Sequence, residues 1–305
     1  MTRREAAGST APGHRRHARR RKGASLRSIV ITGVSSGIGY GAAKEFARHG
    51  YRVFGSVRRE EDAERLGAEL GANFTPLLFD VTDREAVLAA AEEVGEVLDG
   101  PDLAGLVNNA GTAIGGPLML QPLDEVRVHF EINVVGLISV TQAFLPLLGA
   151  KKPRRREPGR ILNMSSVGGK IASPFIGAYA GTKHALEGIS DSLRRELLPY
   201  GIDVIVIEPG AVRTEIWDKG AVGAERYADT DYADSISRFG EYAQGLAKTG
   251  YSPEQFGRFV REVFEKRRPR TRYAISPRKL TSFTVPRLLP DRWLDRLIAR
   301  NIGLT

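Results

Sequence analysis

The chain has 305 residues, 42% of them hydrophobic and 27% charged, ordinary proportions for a folded protein long enough to bury a sizeable core. It contains no cysteine, which excludes disulfides, a thiol nucleophile and a Cys-ligated metal, and fits a reducing cytoplasm. The net charge of +9 is local: residues 1–27 carry nine Lys and Arg against one acid, Glu5, so the rest is nearly neutral and no specific nucleic-acid-binding surface is expected on it.

Residues 1–27 also lack large apolar side chains, and a segment that buries so little cannot offset its ordering entropy. They are expected to form a disordered basic tail, a solvated extension whose alternative use is nonspecific contact with nucleic acid or anionic lipid. No apolar stretch follows the arginines as a secretory signal would require, and no run of about 20 apolar residues marks a membrane span.

From residue 28 onward apolar runs alternate with helical patterns. "SIVITG" (28–33), "YRVFGSV" (51–57), "NFTPLLF" (73–79), "LAGLVNN" (103–109), "GRILNMSS" (159–166) and "GIDVIVIEPG" (201–210) read as strands. Long helices are expected at about 123–148 and 178–198. Mostly apolar strands alternating with helices imply an α/β fold, a doubly wound parallel sheet of the Rossmann type spanning 28–305 as one domain. "KKPRRREP" (151–158) is too polar and proline-broken for either element and reads as an exposed loop. "YSPEQFGRFVREVFEKRR" opens with a cap residue, Ser252, and Pro253 at the first helical position, signalling a late helix.

The first strand runs into "TGVSSGIG" (32–39), with glycines at 33, 37 and 39. Such a turn lets the backbone approach a pyrophosphate while the next helix aims its N-terminal N–H groups at it. The second strand ends before Arg58 and Arg59. An acid at that position would accept from ribose hydroxyls, whereas an arginine suits a 2′-phosphate, pointing to NADP(H) with NAD as the alternative. Arg58 is the better placed of the two. Asp80, closing strand three, is placed to accept the adenine amino proton, and "NNAG" (108–111) closes strand four with small and amide residues, including Asn109, Ala110 and Gly111, suited to packing beside a ribose.

Ser166 lies 13 residues before Tyr179, and Lys183 follows four later, one helical turn on. A phenol with an ordinary pKa near 10 is a poor base at neutral pH, but a neighbouring ammonium favours its phenolate. Ser166 would hydrogen-bond a substrate oxygen while Tyr179 exchanges its proton.

The ordered set "TGVSSGIG", "DVT", "NNAG", "EINVVG", paired serines, "YAGTK" and "EPGAVRTEI", covering about residues 28–215, strongly resembles the short-chain dehydrogenase/reductase family. The resemblance implies that Tyr179 is the acid/base, that Lys183 binds the nicotinamide ribose and lowers the tyrosine pKa, and that Ser166 orients the carbonyl. It implies that Asn133 holds a proton-relay water and that Thr214 contacts the cofactor carboxamide. Further cofactor contacts are implied at Gly33, Ser35, Ser36, Gly37, Ile38 and Gly39, at Val81 beside Asp80, and at Pro209, Gly210 and Val212. Thr182 stands where many members have serine.

Residues 215–250 occupy the place of the family's variable substrate lid, and Trp217, Tyr227, Tyr232, Phe239 and Tyr242 make it aromatic. "VFGSVRR", "SVGGKIASPFIGAY" and "RTRYAISP … LLPDRWLDRL" look like the steroid- and retinol-dehydrogenase branch, implying a lipophilic alcohol or ketone substrate. Acyl, polyketide or xenobiotic carbonyls, or a non-catalytic nucleotide-binding scaffold, are the competing readings. The long helices resemble those of the family's dimer interface, implying a homodimer or homotetramer. Residues 290–303 are amphipathic and are expected to pack on the domain or a partner, with weak peripheral membrane contact as the alternative.

Overall fold

The computed structural model describes residues 27–98, 103–152, 157–214, 225–277 and 279–304. The basic stretch 1–26, Trp217 and the arginines at 154–156 lie outside the described residues.

Seven parallel strands form one sheet in the order β3-β2-β1-β4-β5-β6-β7. They are β1 (Ser28–Ile31), β2 (Arg52–Val57), β3 (Phe74–Leu78), β4 (Leu103–Asn108), β5 (Arg160–Met164), β6 (Asp203–Pro209) and β7 (Arg272–Ile275). Six were expected. The seventh is a four-residue edge strand, "RYAI", only half-buried along its length, so it carries no long apolar run by which to be read.

Strand alternation divides the core into two layers. Ile29 and Ile31 of β1 join Phe46, Phe256 and Phe264 on the face covered by α1 (Gly37–Arg48) and α8 (Pro253–Glu265). Val30 faces the other way, with Phe54, Leu106, Val140 and Phe144, under α3 (Arg84–Leu98) and α5 (Leu137–Phe144). Each fully buried aromatic of this kind contributes about 1.5–3 kcal/mol. Helices α1 and α8 cross so closely that a methyl group on Gly41 would lie 1.9 Å from the Pro253 carbonyl oxygen. Helix α8 starts with the expected cap, extended to a full capping box: Gln255 N–H donates to Ser252 Oγ at 3.2 Å and Ser252 N–H donates to Gln255 Oε1 at 2.9 Å.

The remaining helices are α2 (Glu60–Leu70), α4 (Leu123–Phe130), α6 (Gly177–Glu196), α7 (Ala233–Thr249) and α9 (Asp291–Ile302). The long helix expected at 123–148 is α4 and α5 joined by a π-helical turn, Glu131–Gly136, centred on Asn133. Helix α9 packs against α7, where Ser235 Oγ donates to the Gly303 carbonyl at 2.8 Å, and buries Ile302 while Trp293 and Leu297 stay exposed. No helix among the described residues is long and apolar enough to cross a membrane.

Because the chain runs outward from β1 to β3 and then returns to β4 on the other side of β1, the C-terminal strand ends diverge there. A crevice opens at that reversal, where ligands bind in doubly wound sheets.

Candidate active site

A cavity of 650 Å³ fills this crevice. Every residue expected to act in catalysis or to contact the cofactor lines it except Gly39 and Asn133, which stand immediately behind its wall. The floor is the turn between β1 and α1. Gly33 and Gly37 adopt left-handed backbone, at φ of 69° and 60°, which side-chain-bearing residues rarely do. Ser36 sits at the N-cap of α1 without a side-chain cap bond, leaving the first amides of the helix facing the cavity. At Gly39 a Cβ would lie 2.1 Å from the Gly33 carbonyl oxygen, so the turn is folded onto the helix with no room for a methyl group.

Asn109 lines the cavity and also pins the glycine turn. Its amide Nδ2 donates to the carbonyls of Thr32 and Gly33 at 2.9 and 3.0 Å, and Thr32 Oγ1 accepts the N–H groups of Asn109 and Ala110, each at 2.9 Å. The end of β4 therefore clamps the glycine turn. The fit to a dinucleotide rests on this pinned turn, on the open helix N-terminus above it and on Arg58, which lines the same cavity at the end of β2. Arg58 is exposed and lies 3.6 Å from Asp80. Asp80 Oδ1 accepts from Thr82 N–H and Oγ1 at 2.9 and 2.8 Å, and its carboxyl titrates below the ordinary value because these bonds and Arg58 together outweigh its burial. Arg59 turns away, pairing with Asp62 at 3.0 Å on α2. Across the cavity, Thr214 rests on Gly37, where a Cβ would be 3.1 Å from Thr214 Cγ2.

At the other end, Ser166, Tyr179 and Lys183 converge. A Cβ on Gly168 would lie 3.3 Å from Ser166 Oγ and 3.7 Å from the Tyr179 ring edge, and Ser166 Oγ also accepts the Gly168 N–H at 3.0 Å. Lys183 Nζ donates to the Met164 carbonyl at 2.9 Å and lies 5.6 Å from the Tyr179 ring centre. Burial pushes the Tyr179 phenol above its ordinary pKa, offset in part by a hydrogen bond with Ser166. Burial also lowers Lys183 from 10.5 to about 8. Loss of water disfavours the charged form of both groups, and the net shift of the phenol is upward.

Asn133 is buried, and its amide is largely committed: Oδ1 accepts Thr112 N–H at 2.8 Å, and Nδ2 donates to the Thr112 carbonyl and to Thr182 Oγ1 at 2.9 and 3.0 Å. A Cβ on Gly111 would lie 3.1 Å from Asn133 Oδ1 and 3.8 Å from Lys183 Nζ, so both side chains end close to Gly111. Thr182, read as a conservative change, is the link between Asn133 and the helix bearing Tyr179. His129 was not singled out; its Nε2 accepts the Ile114 N–H at 2.8 Å and so fixes the loop between β4 and α4.

The lid half of the cavity carries aromatic and aliphatic side chains, with Ser237, Glu241 and Gln244 as polar points in its lining. Phe175, at φ of 65°, packs edge-on against Tyr232 and Phe239, each with ring centres 5.8 Å away. Tyr227, Phe239 and Tyr242 line the cavity, whereas Tyr232 does not and instead donates its hydroxyl to Met119 Sδ.

Comparison with known proteins agrees with this geometry. The family model described as "short chain dehydrogenase" matches residues 27–222. An NADPH-dependent 3-dehydrocapnine reductase of Ornithobacterium rhinotracheale is 40% identical over 277 residues, 91% of this chain and 98% of that protein. A 3-ketodihydrosphingosine reductase of Bacteroides thetaiotaomicron is 31% identical over 268 residues, 88% and 94% of the two chains. The crystal structure of a short-chain dehydrogenase from Streptomyces avermitilis superposes with a TM-score of 0.73 at 30% identity, over 91% of this chain and 95% of that one. The chain belongs to the short-chain dehydrogenase/reductase family of NAD(P)-dependent oxidoreductases.

Proposed function

We propose that this protein is an NADP(H)-dependent reductase of a lipophilic 3-keto compound, with Tyr179 as the acid that protonates the carbonyl oxygen. The observation that carries this reading is the convergence of Ser166, Tyr179 and Lys183 at one end of a cavity whose other end is a glycine turn and an unpaired helix N-terminus. The names of two relatives specify a ketone at carbon 3, one of them with NADPH. They favour a chain-like keto lipid over a steroid or retinoid, and the aromatic side chains of the lid support a lipophilic substrate.

The glycine turn and the amides of α1 would hold the pyrophosphate, Arg58 the 2′-phosphate, and Thr214 the carboxamide end. The bound nicotinamide supplies the hydride. Ser166 donates to the substrate carbonyl and fixes its oxygen beside Tyr179. Tyr179, kept protonated by burial, delivers its proton to that oxygen as the carbon is reduced. The Lys183 ammonium then stabilises the phenolate left behind, and Asn133 with Thr112 and Thr182 holds the polar route by which a proton returns to it. Exposed Val128, Phe130 and Val135 on the α4–α5 rod support a homo-oligomeric interface there. Exposed Trp293 and Leu297 beside Arg292 and Arg296 support weak contact with a membrane surface.

Tyr179→Phe tests the mechanism. It removes the transferable proton alone, so kcat for NADPH-dependent reduction of 3-ketodihydrosphingosine should fall at least about 100-fold with NADPH affinity retained. Turnover within about threefold of the parent would overturn the assignment.

A further inference from the structure

We infer that Tyr227 is a substrate-recognition residue whose phenol hydroxyl is reserved for a hydrogen-bonding substituent carried beside the ketone. The inference rests on the reductase reading above and narrows its substrate class to a long-chain ketone bearing a hydroxyl or ammonium group within one or two carbons of the carbonyl.

Tyr227 lines the cavity, is only 4% exposed, and its hydroxyl has no hydrogen-bond partner among the described residues. A buried, unpaired hydroxyl costs about 1–3 kcal/mol, and phenylalanine would fill the same space without that cost. Its ring and carbonyl are tied down. Arg226 forms an ion pair with Glu125 of α4, and its guanidinium lies 5.7 Å from the Tyr227 ring centre. Thr230 donates both its N–H, at 3.1 Å, and its hydroxyl, at 2.7 Å, to the Tyr227 carbonyl. The carbonyl and ring are therefore held in place, while the side-chain hydroxyl has no partner among the described residues.

That hydroxyl ends over Gly116, where a Cβ would lie 2.5 Å from it. Gly116 lines the cavity too; it donates its N–H to the Phe175 carbonyl at 2.7 Å and forms a β-bridge with Ile176. Ile176 precedes Tyr179 by three residues, roughly 5 Å along α6. The phenol thus sits beside the reacting end of the cavity rather than in the far lid. Phe175, Ile176, Ile236 and Phe239 line the same cavity, together with the polar Ser237, Glu241 and Gln244 of α7. A buried polar point in the cavity lining fixes orientation, and a phenol both donates and accepts, so it serves a hydroxyl or an ammonium. A substrate held at its carbonyl by Ser166 and at a nearby substituent by Tyr227 presents one face of the ketone only.

The test compares full-length parent and Tyr227→Phe proteins with NADPH on two ketones of equal chain length, 3-ketodihydrosphingosine and octadecan-3-one. The preference for the functionalised ketone, read as the ratio of kcat/KM values, should fall about tenfold, the loss residing in KM rather than kcat. The melting temperature should not fall, because an unpaired hydroxyl has been removed. An unchanged ratio, an equal loss on both ketones with a lower melting temperature, or reduction of octadecan-3-one alone by the parent would each overturn the role of Tyr227. If the parent reduces neither ketone, the reductase reading itself fails, and the substrate class falls with it.

Discussion

Lys183 Nζ donates to the Met164 carbonyl at 2.9 Å while lying 5.6 Å from the Tyr179 ring centre, so the catalytic helix is tied to the end of β5 by the same ammonium that faces the phenol. The tie has a thermodynamic cost. Burial lowers the Lys183 pKa from 10.5 to about 8, meaning that the folded protein disfavours the charged form relative to the unfolded chain. Below pH 8 both states carry the proton and the full cost is present. Between pH 8 and 10.5 the unfolded chain holds a proton that the folded one has released, so stability rises with pH by about 3 kcal/mol from this group. Lys183→Met removes the titration. The stability difference between variant and parent should shift by about 3 kcal/mol toward the parent across that window. Urea denaturation of both proteins at pH 7, 8, 9 and 10.5 checks this, and a pH-independent difference would refute it.

The parts of this site legible in the sequence are those set by local rules. A β-branched run ending in closely spaced glycines specifies a strand, a tight turn and a helix start within a dozen residues. A Tyr and a Lys four apart on a helix share a face whatever surrounds them. What was not legible depends on residues far apart in the chain. Asn109 clamps carbonyls 76 and 77 residues before it, and Asn133 reaches Thr182 across 49. An amide gives no sequence sign of which carbonyl it will meet. The direction of the Tyr179 shift was hidden for a related reason, since spacing reveals the neighbouring ammonium but not the loss of water around both groups.

Gly39 is the position where the glycine turn tolerates least. A Cβ there would meet the Gly33 carbonyl oxygen at 2.1 Å and Asn109 Nδ2 at 2.4 Å, and the first of these is backbone that cannot swing aside. Gly39→Ala should force the turn off the helix, weakening NADPH binding at least about 100-fold, or lowering stability by about 1–3 kcal/mol where the strain spreads into the fold. NADPH fluorescence titration and thermal melting together detect either result. Parental values in both would show that the turn is not held as described.

Arg58 extends into the cavity mouth with Asp80 as its sole ion-pair partner among the described residues. A charge-assisted contact to a 2′-phosphate contributes about 1.5–3 kcal/mol, and Arg58→Asp would both remove it and set a second carboxylate beside Asp80. The KM for NADPH should rise about 10- to 100-fold while that for NADH changes little, reversing or erasing the cofactor preference. Steady-state kinetics with the two reduced cofactors measures this, and equal losses for both would mean that Arg58 does not read the phosphate.

A buried ion cluster supports the catalytic groups from beneath. Glu187, four residues after Lys183 on α6, is buried and accepts from Lys170 and from Arg272 of β7, each at 2.8 Å. Lys170 belongs to the loop that carries Ser166, and Arg272 also pairs with Asp191 at 3.0 Å. Glu187 is held below its ordinary pKa because these cations outweigh its burial, whereas nearby Glu208 is pushed above its ordinary value, first by its own burial and then by the Glu187 charge. Glu187→Gln keeps the shape but removes the anion between two cations. The cost should be about 3 kcal/mol, as for other broken buried pairs. With Lys170 released, the Ser166 loop loses its tether to the helix, so kcat should fall while NADPH affinity, set at the opposite end of the cavity, is retained. Lys170→Met should reproduce the loss in kcat with a smaller loss of stability, since Arg272 continues to pair with Glu187. A double-mutant cycle of these two changes, read in both kcat and urea unfolding, measures the coupling, and additive effects on kcat would dissolve the link between this cluster and catalysis.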